Sequence, residues 1–387
     1  MFKETSLACL FDIGSLIGGF MIALQLDIFH LSPWAIALYP AVISIKGVIT
    51  GVLTGRLSTA LHLGTIYPKF LGNTKSFYRL ISATIVLTLA TSVTISLVSI
   101  LFGTLFWGVT LTELPAILTV MVATLSVSLL IALITIKGTF ISFKKSLDPD
   151  IIVYPATATA TNIIITLLYI AVLNLYFSGP TGQWAIIIFG LINVFLVALV
   201  LPKNIKETEF RSIIKEALPT MILIAFIVNV TGTLLKGISN IAGDRREIYT
   251  LYPAIIDVIG DAGLVVSSAA TMKLTLGILS PTFSSIKHHA KNIFSAWTSS
   301  LIFFVVLGVL SLMINSIFAF DSIMNLLTLL VIANIIAFAA NVIISYGISI
   351  LSFKRGLDPD NFVIPIGNSI ADALTTLAIF ITMLFII

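Results

Sequence analysis

Eleven apolar stretches of roughly 20 residues or more follow one another along the chain, and this succession constrains the fold more than any other feature. They fall near 8–30, 34–61, 79–107, 111–136, 151–177, 183–201, 213–235, 248–276, 292–317, 323–350 and 361–387. About 20 apolar residues carry a helix across a bilayer, and only a helix or a closed barrel satisfies its own backbone there. The composition agrees. The chain is 58% hydrophobic and 10% charged, with a mean hydropathy of +1.13, which is more apolar surface than a soluble core can hide. The short alternating segments of a β-barrel do not occur. The expected fold is therefore an all-α polytopic membrane protein with about eleven transmembrane helices and no sizeable soluble domain. The lone cysteine, Cys9, excludes internal disulfides and thiol-rich metal sites. Asp12 interrupts the first stretch and no small-residue cleavage site follows, so no cleaved leader is expected.

Lysine and arginine set the orientation, because they collect on the cytoplasmic side. With the N-terminus inside, 17 of the 21 fall in cytoplasmic segments, among them Lys144, Lys145, Lys354 and Arg355. Only Lys236, Arg245 and Arg246 fall outside, and Lys46 lies within a span. The expectation is a multi-pass cell-membrane protein with a cytoplasmic N-terminus and an extracytoplasmic C-terminus. The formal charge of +4 then reports topology, and no nucleic-acid partner is expected.

The chain also repeats itself. "ISFKKSLDPDIIVYP" (141–155) and "LSFKRGLDPDNFVIP" (351–365) share nine of fifteen positions at an offset of 210. Upstream, Leu-Tyr-Pro-Ala at 38–41 recurs at 251–254, and Gly47 and Gly64 recur as Gly260 and Gly277, at an offset of 213. Two matches in one order indicate a duplication of five spans. The extra span at 183–201 restores parity, so both copies cross in the same direction, as a parallel repeat. The expected divisions are a first repeat at 1–178, a linker helix at 179–204 and a second repeat at 205–387. This would make the chain a pseudo-dimeric monomer.

Acids inside hydrocarbon are costly and mark cavities, partners or ions. The deep ones are Asp12, Asp257, Asp261 and Asp372. Asp257 and Asp261 are spaced i, i+4 on one helix face, as are Asn368 and Asp372. Across the repeat, Asp257 matches Ser44, Asp261 matches Val48, and Asp372 matches Asn162. Pro40, Pro253, Pro155 and Pro365 free backbone carbonyls, which face protein or water when they lie in a membrane. Oxygen ligands without neighbouring His or Cys suit a hard cation such as Mg²⁺, which keeps several waters. Asp12 is read as structural. Asp148, Asp150, Asp358 and Asp360 are read as cytoplasmic helix starts. Thr157, Thr159 and Thr161 are assigned to close helix packing, and His30, His62, His288 and His289 to the interface. Glu113 sits at an outer span entrance, where an acid could form a cation-attracting mouth.

A proline seven residues before a buried acid in a fifth span, preceded by Leu-Asp-Pro-Asp, resembles the MgtE-type magnesium channel or transporter domain. The fused form is similar to the eukaryotic solute-carrier magnesium transporters and their archaeal relatives. "PAVISIKG" with "GRLSTALHLG" looks like that family's second-span signature, and "LDPDNFVIPIGNSIAD" like its fifth. The resemblance implies a pore between two five-helix halves. The ion-facing role falls to Asp372 and Asn162, with Asp257 and Asp261 nominated from the second span. Asn162 stands where the family carries an acid, and Val48 and Asp261 stand where it often carries Asn. No regulatory domain precedes the first span, so gating by a magnesium-sensing module of that kind is not expected.

The expected metal ligands are thus Asp372, Asn162, Asp257, Asp261, Asn368 and Ser44, holding a divalent cation at the interface of the repeats. Mg²⁺ is cargo, and no resident cofactor and no enzymatic activity are expected. Two alternatives stay open on the sequence. One is exchange of the divalent cation for Na⁺ or H⁺. The other is an intramembrane Mg-dependent lipid-diphosphate enzyme seeded by Asp257 and Asp261.

Overall fold

A computed structural model describes the backbone of residues 1–145, 154–355 and 359–386, and their side chains except at 45–52, 154–156, 352, 355 and 359–365. The basic Leu-Asp-Pro-Asp hinges and Lys46 therefore lie outside the described residues or side chains. Every regular element among the described residues is helical. In chain order these are α1 (Phe2–Asp12), α2 (Ser15–Leu24), α3 (Leu26–His30), α4 (Pro33–Ala37) and α5 (Tyr39–His62). Next come α6 (Lys75–Phe102), α7 (Leu114–Lys144), α8 (Tyr154–Phe177), α9 (Pro180–Asn204) and α10 (Thr208–Ala242). The last four are α11 (Arg246–Thr275), α12 (Ala290–Ile314), α13 (Phe320–Arg355) and α14 (Pro359–Ile386). Among the described residues, 10 helical segments are long and apolar enough to cross a membrane, and α5 adds a helix of 24 residues. The chain is a polytopic all-α membrane protein.

Hydroxyl residues fit into these apolar helices because they bond to their own backbone. Thr88 donates to the Thr84 carbonyl at 2.8 Å, Thr124 to Val120 at 2.8 Å and Thr382 to Ala378 at 2.7 Å. A hydroxyl satisfied one turn back costs little in lipid or in a dry core. Prolines open α4, α5, α7 and α9, where a missing N–H is harmless. The two copies of Leu-Tyr-Pro-Ala differ here. Pro40 begins a new helix after the α4 break, whereas Pro253 lies inside the continuous α11.

The helices sort into two packed units. One comprises Met1–Leu26 with Leu234–Ile387, the other Asp27–Thr233. The packing thus places α1 and α2 with the helices of the second repeat, and most of α10 with those of the first.

Within the first of these units, Gly19 of α2 lies so close to α11 that an added Cβ would sit 2.0 Å from the Thr250 carbonyl oxygen and 2.7 Å from that of Tyr249. Tyr249 is the residue whose carbonyl Pro253, four residues on, cannot serve. A residue without a side chain is what lets a neighbouring helix rest on that carbonyl. Ser6 of α1 and Ser299 of α12 share a 2.8 Å hydrogen bond, and Asn334 Nδ2 of α13 donates to Ser300 Oγ at 3.1 Å.

The other unit contains the counterpart. Gly232 of α10 meets the Ala37 carbonyl, again at 2.0 Å from an added Cβ. The pairs Gly19/Gly232 and Ala37/Thr250 both obey the offset of 213 found in the sequence. At the end of α10 rich in charge, Arg79 of α6 pairs with Glu207 at 2.6 Å and Glu209 at 3.3 Å. At the opposite end, Trp107 Nε1 donates to Thr233 Oγ1 at 2.9 Å. Each first span therefore packs against the second span of the other repeat, through equivalent glycines.

Candidate cation site

In the unit containing the C-terminus, α11 and α14 run antiparallel and form one seam. Tyr252 on α11 and Thr376 on α14 are joined hydroxyl to hydroxyl at 2.9 Å. Thr376 in turn donates to the Asp372 carbonyl at 2.6 Å, so its proton is engaged and Tyr252 is the donor to Thr376. Further along, Gly260 faces Asn368 Oδ1, 3.6 Å from an added Cβ. Five residues beyond Tyr252 is Asp257, and four residues before Thr376 is Asp372. At 1.5 Å per residue these steps are roughly 7.5 and 6 Å, so Asp257 and Asp372 branch from about one height along the two helices. The five-residue step turns Asp257 about 140° from Tyr252, toward Ser15 of α2, whereas Asp372 is only about 40° from Thr376.

Asp372 is buried at 8% exposure, whereas Asp257, Asp261 and Asn368 are half-buried. Ser15 Oγ of α2 donates to Asp257 Oδ2 at 3.1 Å. Past Asn368, a cavity of about 10 Å³ lies among Gly260, Ser267, Ser345, Gly367 and Asn368, room for a single water. Its far wall is α13, where Asn341 Nδ2 donates to the Ile259 carbonyl at 2.8 Å and Ser345 Oγ to Asn341 Oδ1 at 3.3 Å.

The other unit repeats the seam between α5 and α8. Tyr39 and Thr166 are joined at 2.9 Å. The same count of five and four residues leads to Ser44 and Asn162. Both are buried, Asn162 completely. The sequence pairs Asp257/Ser44 and Asp372/Asn162 thus occupy equivalent levels of two equivalent seams, charged in one and neutral in the other.

Several residues escaped the sequence. Asp12, read there as structural and without a named partner, is buried at the end of α1 and acts electrostatically on Cys9, as Asp261 of α11 does. It therefore belongs to the neighbourhood of the acidic helix. Ser15 was missed for the same reason, since nothing local shows that α2 packs on α11. Asn341 had a visible signal: Asn334, Asn341, Ser345 and Ser349 fall at helical spacing and make one polar stripe. Glu113, offered from the sequence as a cation-attracting mouth, is held in a capping box by the Thr110 N–H at 3.0 Å and accepts a hydrogen bond from Ser32 at 2.7 Å, so its oxygens already cap a helix start. His289, assigned to the interface, is instead fully buried, with Nδ1 3.3 Å from Lys273 Nζ.

Residues 39–172 and 252–382 each match the MgtE family model, described as a divalent cation transporter. The chain belongs to the MgtE family. The two matches cover more than half of the chain and coincide with the duplicated spans, so this is a two-repeat MgtE-type protein. MgtE proteins transport divalent cations and are not enzymes, which sets the lipid-diphosphate reading aside. Comparison with curated proteins and with solved structures returns no match.

Proposed function

We propose that the divalent cation carried by this MgtE protein is Mg²⁺, and that Asp372 with Asp257 provides its charged ligands. What supports this reading is that Asp257 and Asp372 branch from about one height of two adjacent helices, α11 and α14, joined by the Tyr252–Thr376 bond. Among the described residues, no three His, Cys, Asp or Glu side chains converge on a point that could strip and hold a bare ion. Mg²⁺ dehydrates reluctantly and binds through one or two carboxylates with its waters retained, so two acids at one level suit it. Asp261 and Asn368 continue the oxygen-bearing path along the seam. On the α5/α8 seam the equivalent positions are the neutral Ser44 and Asn162, so that seam would hold a divalent cation less tightly than the acidic one. The side carrying most of the lysines and arginines, and with it the N-terminus, is cytoplasmic on this reading.

Purified protein in liposomes, assayed for uptake of Mg²⁺, Ca²⁺, Mn²⁺, Na⁺ and K⁺, tests the proposal. Mg²⁺ flux should exceed that of the monovalent ions, and Asp372→Ala should lower it at least tenfold. Asn162→Asp should tighten binding and slow turnover. Flux and selectivity left intact in both variants would overturn the assignment.

A further inference from the structure

We propose that α9, the linker helix, forms with α6 and α7 an intramembrane binding site for one lipid-like molecule. The ligand would have an apolar body with a carbonyl or hydroxyl near its middle. The site is a cavity of about 410 Å³, a size that ordinarily holds a small-molecule ligand. Its walls are Ile81, Thr84 and Ile85 of α6, the stretch from Ser126 to Ile136 of α7, and Phe189, Ile192, Asn193 and Leu196 of α9, with Leu53 of α5 behind them. Gly190 brings α9 against α7 at one end, where an added Cβ would meet Val122 at 3.2 Å.

Two of the three polar side chains in the wall are already satisfied. Thr84 donates to the Leu80 carbonyl and Ser126 to that of Val122. Asn193 is different. It is buried at 1% exposure, and neither its Nδ2 nor its Oδ1 has a hydrogen-bond partner. A buried amide left in that condition is costly, and more so in an apolar surrounding. The cavity is where its partner would stand.

The position of the amide identifies the occupant's chemistry. Asn193 is 13 residues from Pro180 and 11 from Asn204, roughly 20 and 17 Å along the helix, which is mid-span. Water is scarce at that depth, and phospholipid headgroups lie at the bilayer surface. The rim is apolar and exposed, with Leu130 and Leu133 on α7 and Phe189 and Ile192 on α9. Of the candidate spans, α9 is also the least buried. The cavity therefore opens on the hydrocarbon, and what enters must be soluble in lipid while bringing its own hydrogen-bonding group.

Stearic acid carrying a nitroxide on carbon 12 serves as a probe, because the nitroxide oxygen accepts a hydrogen bond at mid-bilayer depth. Its paramagnetic resonance would be recorded with single copies of the full chain in phosphatidylcholine nanodiscs. A saturable, immobilised component of one probe per protein is expected, with the hyperfine splitting raised by the bond to Asn193. The carbon-5 analogue should bind more weakly. Ala132→Phe, which fills the cavity, should abolish the saturable component. Asn193→Leu should weaken binding about tenfold, the worth of one such bond, and remove the extra splitting. A non-saturable component equal in wild type and both variants would mean ordinary boundary lipid and would overturn the proposal. Disulfide cross-linking of Leu133→Cys to Ile192→Cys between copies in larger vesicles, in place of probe binding, would also overturn it.

Discussion

Replacing Gly19 by alanine tests the reciprocal packing at its tightest point. The new methyl would lie 2.0 Å from the Thr250 carbonyl oxygen, where contacts under 3.0 Å essentially never occur. The neighbouring atoms are backbone, so no side chain can move aside. Instead α2 must back off α11 by roughly 1 Å, which forfeits up to about half the well of each dispersion contact along the seam. Overpacking of this kind costs about 1–3 kcal/mol, and alanine's better helix propensity offsets up to about 1 kcal/mol of it. Gly232→Ala should behave alike, since Ala37 presents the same carbonyl at the same 2.0 Å. Gly347 on α13 is the internal control. Its nearest neighbour would be Phe283 at 3.9 Å, an ordinary contact, so Gly347→Ala should be neutral or stabilising by up to about 1 kcal/mol. Reversible unfolding in mixed detergent micelles, followed by circular dichroism, gives all three free energies. If Gly19→Ala and Gly232→Ala prove as stable as Gly347→Ala, the close contacts do not exist and the exchanged packing is wrong.

Two further outcomes follow from single hydrogen bonds and ion pairs. Tyr252→Phe removes the donor to Thr376 and should cost about 0.5–1.5 kcal/mol. If Asp372 is a ligand as proposed, Tyr252→Phe should also lower divalent-cation uptake more than the equivalent Tyr39→Phe, because only the first perturbs the turn that carries Asp372; equal losses of uptake would contradict that proposal. Arg79→Ala breaks pairs with Glu207 and Glu209, whose side chains are 44% and 41% exposed, so its cost should stay within about 1 kcal/mol and shrink in high salt. A larger loss in a chemical-denaturation assay would show that these pairs are shielded from solvent.

The fold class and the duplication were legible because each rests on a property of the chain itself: apolar length for the spans, offset identity for the repeats. The two seams were half legible. Asp257 and Asp372 stood out as acids within apolar spans, and Ser44 and Asn162 followed from alignment of the repeats, whereas the Tyr–Thr pairs beside them went unnoticed although they obey the same offsets. What stayed hidden depends on which helix meets which. Asp12 and Ser15 precede the second repeat by more than 200 residues, and no local pattern ties α1 and α2 to α11. His289 failed for a related reason. A basic segment near a span end reads as solvated, but α11 and α13 cover it, with Lys273 and Tyr346 against the ring. Asn193 was invisible because a lone amide in an apolar helix carries no periodic signal.

The exchange of first spans makes a prediction that the order of the repeats along the chain does not. A chain cut in the segment 205–207 yields two fragments that each hold a complete sequence repeat. If each repeat packed on itself, both fragments would be stable alone. The packing says otherwise: residues 208–387 without α1 and α2 leave the Thr250 carbonyl and the α11 face around Asp257 uncovered, while residues 1–204 without α10 uncover Ala37, Trp107 and Arg79. In lipid, an exposed backbone carbonyl and a carboxylate that has lost a hydrogen bond are penalised heavily. Each fragment expressed alone should therefore be degraded or aggregate, and co-expression should rescue both and let a tag on one co-purify the other. Fragments equally abundant and monodisperse alone and together would refute the exchange. Rescue would show that the two repeats, although joined in one chain, are completed by trading their first helices.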